Sequence, residues 1–244
     1  MLDAFQHAGI DILILKGPAL ARSVYPDPAT RPSSDLDILI KPAKVERAGA
    51  LLQELGYQLE TKRFMPFLKD IYKDETFKPT GKTRNLRGIE LHWDLYLLHG
   101  TIREVGVEDL FQSAVELKTP SLTMSILHPI DALMYSAINI RNHLPHNRLI
   151  WIYDTALLAG QLSKADDWKI LQRRCVEWQG RNAMETALKL AQDWAGISLP
   201  FGFDDFSQWP APVAVESARH RRPDMGHEWL TGGMFIYVIK TLRF

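Results

Sequence analysis

One cysteine, Cys175, in 244 residues leaves no partner for an internal disulfide, and its apolar neighbours point to packing in a reducing compartment. Neither sign of charge is in excess, with 29 Lys+Arg against 29 Asp+Glu. That balance excludes a global field steering the chain toward nucleic acid or an anionic membrane. Long apolar runs are also lacking: the stretch 229–242 is broken by Gly232, Gly233 and Lys240 and falls short of the roughly 20 residues needed to cross a bilayer. The first residues show no basic segment followed by an apolar core, so no signal peptide is read there. Repeats and low-complexity tracts are absent as well. These absences lead us to expect a cytoplasmic globular protein with no membrane partner. What the chain does have is 46% apolar residues, enough to fill a core.

Periodicity divides the chain. Leu2 to Ala8 suits a helix, and Gly9 breaks it before the apolar run Ile10 to Leu15, a strand by length and branching. Gly17-Pro18 ends that strand, and a short helix spans Ala19 to Tyr25. A Pro-rich loop through Pro32 follows. Asp35 to Ile40 then alternates as a second strand with one polar face. Pro42 to Gly56 reads as an amphipathic helix closed by a glycine cap. Tyr57 to Glu60 is a further strand candidate, and Ile89 to Trp93 alternates again, with Glu90, His92 and Asp94 on one face. Beyond about residue 118 strand signals vanish. Helical spacing takes over at 130–138, 149–157, about 166–178 and 181–195, and 200–223 has the texture of a long surface loop. We therefore expect an α+β architecture: an α/β N-terminal domain with a mixed sheet, 1–118, followed by a mainly α-helical domain, 119–244.

Residues two apart on a strand project to the same side, roughly 7 Å apart. Asp35 and Asp37 thus share a face while Leu36 and Ile38 turn to the core. Two adjacent carboxylates repel unless they are solvated or neutralised by divalent cations. Mg²⁺ favours one or two carboxylates plus substrate phosphates, so a nucleotide site satisfies the pair, whereas a bare solvent-facing strand would explain it without one.

The segment Leu15-Lys16-Gly17-Pro18-Ala19-Leu20-Ala21 is followed by Arg31-Pro32-Ser33-Ser34-Asp35-Leu36-Asp37-Ile38 and then Ile89-Glu90-Leu91-His92-Trp93. Together these resemble the nucleotidyltransferase fold of the DNA polymerase β superfamily, in particular a bacterial branch called NTP_transf_5. The stretch Arg148 to Asp154 is similar to a recurring segment of that branch. The resemblance implies metal ligands and catalytic residues at Asp35, Asp37 and Glu90, holding two Mg²⁺ ions, with Mn²⁺ as an alternative. It implies nucleotide binding at Lys16, Gly17, Ser33 and Ser34, because Pro18 occupies the place of the usual phosphate-binding serine and offers neither hydroxyl nor N–H. His92, sharing the face of Glu90, is a candidate contact to acceptor or phosphate. The implied reaction moves an NMP group from an NTP to a hydroxyl or other nucleophile of an acceptor (small molecule, protein or RNA) and releases pyrophosphate. The alternative is a noncatalytic nucleotide- or partner-binding protein that keeps the fold.

Other motifs read as structural. His143 and His146, with Asn139, Arg141 and Asn142, suit polar capping of a helix end, and Asp154 suits pairing with an arginine. Gly81-Lys82-Thr83 is not a P-loop, since Thr76 stands where the first glycine belongs. Between Lys62 and Arg87 eight basic residues face three acidic ones with aromatics interleaved, a pattern that a polyanion would suit and a solvated loop would also explain.

Overall fold

The computed structural model describes residues 1–60, 74–81, 85–95, 106–120, 122–200 and 202–210. Most of the basic stretch after Lys62, the end of the 200–223 loop and the apolar segment 229–242 lie outside the described residues. Residues 1–211 form one compact unit.

A seven-stranded mixed sheet organises this unit, in the order β3-β4-β5-β2-β1-β7-β6. Its strands are β1 Leu13–Ile14, β2 Asp35–Leu39, β3 Tyr57–Leu59, β4 Asp74–Pro79, β5 Gly88–His92, β6 Val115–Thr119 and β7 Leu122–Ile126. Strand β2 is antiparallel to β1 and parallel to β5. The helices are α1 Leu2–His7, α2 Pro18–Ser23, α3 Val45–Glu54, α4 Val107–Ser113, α5 Pro129–Asn142, α6 Leu149–Gln161, α7 Ala165–Glu177 and α8 Arg181–Ala195.

Strand alternation assigns the two faces. Ile38 of β2 and Ile40 just after it, Ile89 and Leu91 of β5 and Phe77 of β4 pack with Phe5 of α1 and with Ala48 and Leu52 of α3. On the opposite face Leu13, Leu15 and Leu39 join a larger core built from α5 to α8, including Leu133, Ile138, Trp168, Leu171 and Leu188. The acidic positions of β2 share that second face. Burial rises along β2, from half-buried Asp35 to Asp37 and Leu39, which are shut off from solvent.

Several expectations need correction. Strands do not end near residue 118: β7 follows it, parallel to β1 through Ile14 and Ile126. Its alternation, Leu-Thr-Met-Ser-Ile, is too short to stand out beside a helical pattern. The first strand is only Leu13–Ile14, because Gly9 at φ +63° and the bond from the Ile10 amide to the Phe5 carbonyl extend the helix end to residue 10. Strand β4 was hidden in a basic stretch. Only Phe77 is a buried apolar group there, while Asp74 and Thr76 stand opposite His92 and Glu90. Helix α7 runs from Ala165 to Glu177, one residue earlier at each end than its spacing suggested. Finally, 202–210 is not a bare surface loop, since Phe206 and Trp209 are buried. Gly196, in the left-handed region, closes α8.

Candidate active site

The register sets the site. Asp37 on β2 lies directly across from Glu90 on β5, and His92, two residues on, lies across from Leu39. One oxygen or ring nitrogen from each of Asp37, Glu90 and His92 falls within 4.8 Å of the others. His92 Nε2 is 3.4 Å from Asp37 Oδ1 and 3.7 Å from Glu90 Oε2. Asp35 sits at the next position of the same face, opposite Gly88, and is not a member of this tight group. The carboxylates therefore share one face, but the donor that completes the cluster is a histidine.

The turn after β1 supplies the counter-charge. The Leu15 amide donates to the Asp37 carbonyl at 3.1 Å, prolonging the ladder, and Lys16 emerges beside Asp37 with its Nζ 2.9 Å from Oδ1. The chain then turns at Gly17, whose φ of +59° is open to glycine and strained for other residues. A Cβ at this position would lie 2.7 Å from Ser33 Oγ, so the turn and the loop before β2 fit together only because the side chain is absent. Ser33 Oγ donates to the Asp35 carbonyl, while Ser34 is exposed. Pro18 opens α2 at its first position, where a missing N–H costs nothing.

A buried ion pair fastens this loop to the helices. Arg31 donates through Nε and Nη2 to the two oxygens of Asp154 on α6, at 2.8 and 2.7 Å, and Tyr25 Oη donates to Oδ1 at 2.8 Å. Asp154 thus pairs with an arginine, as its place in the sequence suggested. His143 takes the expected capping role, its Nδ1 bonded to the Asn139 carbonyl at 2.7 Å. Asp94 accepts from the Leu95 amide, and Cys175 is buried.

The electrostatics follow from burial. Asp37 is wholly buried; burial opposes its ionisation, but the hydrogen bond from His92 and the charges of Lys16 and His92 hold it below the usual carboxylate range. Burial likewise disfavours the charged form of His92, yet Asp37 and Glu90 push its pKa up to about 9. Lys16 is treated the same way: burial would lower it, and the oxygens of Tyr135, Asp37 and Glu90 raise it. Two cations thus balance two anions. Asp37 Oδ2, however, is buried and has no hydrogen-bond partner among the described residues. A lone carboxylate oxygen in that setting is costly unless something positive reaches it. An oxygen-accepting divalent ion fits both this vacancy of partners and the adjacent Glu90 and His92.

Sequence reading gave His92 a contact role and missed its place among the donors, although the spacing Glu90-x-His92 carried that signal. It missed Tyr135 altogether. The ring of this α5 residue lies nearly perpendicular to that of His92, with centroids 6.5 Å apart, and helical periodicity marks it only as core.

A mixed sheet bearing an Asp-x-Asp strand, a glycine turn beside it and a third carboxylate on the neighbouring strand is a nucleotidyltransferase fold. The chain belongs to the family described as uncharacterised nucleotidyltransferase, whose model matches residues 1–196. Among solved structures it is similar to the antibiotic-resistance factor ANT(2'')-Ia, with a TM-score of 0.50, 11% identity, and 77% of this chain and 90% of that chain covered. The lincosamide antibiotic adenylyltransferase LnuA matches at a TM-score of 0.43 and 15% identity over 64% of this chain and 90% of that one. A nucleotidyltransferase-like protein from Paracoccidioides brasiliensis matches at 0.42 and 13%, covering 80% and 93%. Identities this low speak to the fold alone. No curated protein matches the chain in sequence. Among the described residues no helix is long and apolar enough to cross a membrane.

Proposed function

We propose that this protein is a metal-dependent nucleotidyltransferase that moves an NMP group from an NTP to a hydroxyl or other nucleophile of an acceptor and releases pyrophosphate. The observation that supports it best is the buried, unpartnered Oδ2 of Asp37 beside Glu90 on the same sheet face. Asp37 and Glu90 would hold the metal ions, with Asp35 at the half-exposed mouth, where a solvated triphosphate arrives. When bound, Mg²⁺ or Mn²⁺ would supply charge neutralisation at the α-phosphorus and polarisation of the attacking and leaving oxygens.

The chain's own groups do the rest. Lys16, already paired with Asp37, can turn its ammonium to phosphate oxygens once a cation takes over that carboxylate. The Gly17 turn, closed against Ser33, lets backbone approach a phosphate without a side chain in the way. Ser33 and Ser34 offer hydroxyls, replacing the one that Pro18 cannot give. Arg31, locked to Asp154, fixes the loop that carries them.

The second reading, a noncatalytic nucleotide- or partner-binding protein of the same fold, draws support from Pro18 itself. Incubation with each NTP labelled at the α-phosphate, with Mg²⁺ or Mn²⁺ and panels of small-molecule, protein and RNA acceptors, separates the two. Transfer of label lost in Asp37→Asn establishes the enzyme. NTP binding that raises the melting temperature with no acceptor labelled under any condition favours the noncatalytic protein.

A further inference from the structure

The proposed reading treats the site as one of carboxylates, yet its tightest donor group contains an imidazole. On the strength of that reading, we infer that His92 is a protein ligand of the ion held by Asp37 and Glu90. The site would then prefer a first-row divalent ion that accepts nitrogen, such as Co²⁺, Mn²⁺ or Zn²⁺, over Mg²⁺.

Geometry carries the inference. Donors about 2.1 Å from a shared ion lie roughly 3.0–3.4 Å apart at octahedral to tetrahedral angles. His92 Nε2 stands 3.4 Å from Asp37 Oδ1 and 3.7 Å from Glu90 Oε2, so small side-chain adjustments bring all three onto one ion. The positions are rigid. His92 and Glu90 are adjacent same-face residues of β5, which is paired on both sides by β2 and β4, and the Tyr135 ring packs nearly perpendicular to the His92 ring. Asp37 Oδ2, buried and unpartnered, points independently to a cationic ligand, because the lysine and the histidine both sit on Oδ1. Asp74 stands across from His92 on β4, a register position from which a carboxylate can steady the ring of a ligating histidine.

The ligand set decides the metal. Mg²⁺ asks for oxygen donors and keeps several waters, whereas an imidazole beside two carboxylates raises affinity for Mn²⁺, Co²⁺ and Zn²⁺ in the usual order. A histidine that only balanced charge would leave that preference untouched.

Metal-free protein titrated with Co²⁺ at about pH 8, where ligation has to displace the His92 proton, provides the test, followed through the visible d–d bands. Mg²⁺ affinity is measured in parallel by calorimetry. The expected result is one saturable Co²⁺ site whose bands change in His92→Asn and whose affinity falls by about tenfold or more, with a smaller change for Mg²⁺. Should His92→Asn fail to fold, Mn²⁺ added to wild type must broaden the His92 ring resonances selectively in NMR spectra. Unchanged Co²⁺ bands and affinity in folded His92→Asn, or unbroadened His92 resonances in protein that binds Mn²⁺, would overturn the inference while leaving nucleotide transfer intact. Failure of wild type to bind any divalent ion, even with an NTP present, would instead remove the functional reading on which the inference rests.

Discussion

Asp35 and Asp37 stand two residues apart on β2 but occupy different surroundings. Asp37 is sealed from solvent and shared by Lys16 at 2.9 Å and His92 at 3.4 Å, whereas Asp35 is half-buried at the start of the strand. The repulsion expected of a bare aspartate pair is therefore already compensated at Asp37, and neutralising that residue leaves two cations short of a partner. Asp37→Asn should lower stability by about 2–4 kcal/mol, while Asp35→Asn should stay within about 0.5 kcal/mol. Both should reduce nucleotide transfer by about a hundredfold or more. Urea melts of the two variants beside labelled-NTP assays check this, and equal stability losses would count against the compensation. His92 adds a pH dependence. Its folded pKa of about 9 lies above the ordinary value near 6.5, so its stabilisation is fully present below about pH 6.5 and is lost as pH rises through 9. Metal-free wild type should thus lose a few kcal/mol between these limits, and His92→Asn should show a flatter profile over the same range.

The loop between α2 and β2 carries the two serines proposed to meet phosphate, and its fixed point is the Arg31–Asp154 pair, with side chains only 5% and 4% exposed. Asp154→Asn keeps the size of the side chain but strands the guanidinium in a dry setting and weakens the bond from Tyr25. A loss of about 3–5 kcal/mol is expected, with a raised KM for NTP because the loop leads directly into Asp35. If denaturant melts of Asp154→Asn match wild type, the pair is not the anchor described. The pairing of Asp154 and the common face of Asp35 and Asp37 were legible because their polarity interrupts apolar periodicity at fixed intervals. The glycine turn was legible for the same local reason. Strand β4 was not, since its Asp74 and Thr76 face a charged site and only Phe77 reports the core. The place of Asp35 outside the tight donor group was not legible either. Strand spacing gives the face, but the neighbour's register decides that Glu90 meets Asp37 while Asp35 meets Gly88. Tyr135 shows the same limit from the helical side, where a 3.6-residue period marks burial without saying what is buried against it.

At the scale of residues 1–211, the sheet and the helices share a core: Leu13, Leu15 and Leu39 pack in the same cluster as Leu133, Trp168 and Leu188. The Arg31–Asp154 pair crosses the same boundary. Parts that bury one another's apolar surface lose that burial together, so cooperative unfolding follows from the packing rather than from chain continuity. Leu39→Ala, a change on β2 alone, removes a fully buried side chain and should cost about 2–5 kcal/mol. The loss should appear equally in the slow-exchanging amides of β2 and of α8, although α8 lies more than a hundred residues away in sequence. Hydrogen exchange followed by mass spectrometry reads both segments in one experiment. Equal loss of protection would mean that the carboxylate face is held rigid by the helices covering it, as preorganised metal donors require. Loss confined to the sheet would show that the strands through β7 and the helices after them open independently, and the site would then owe its geometry to the strand ladder alone.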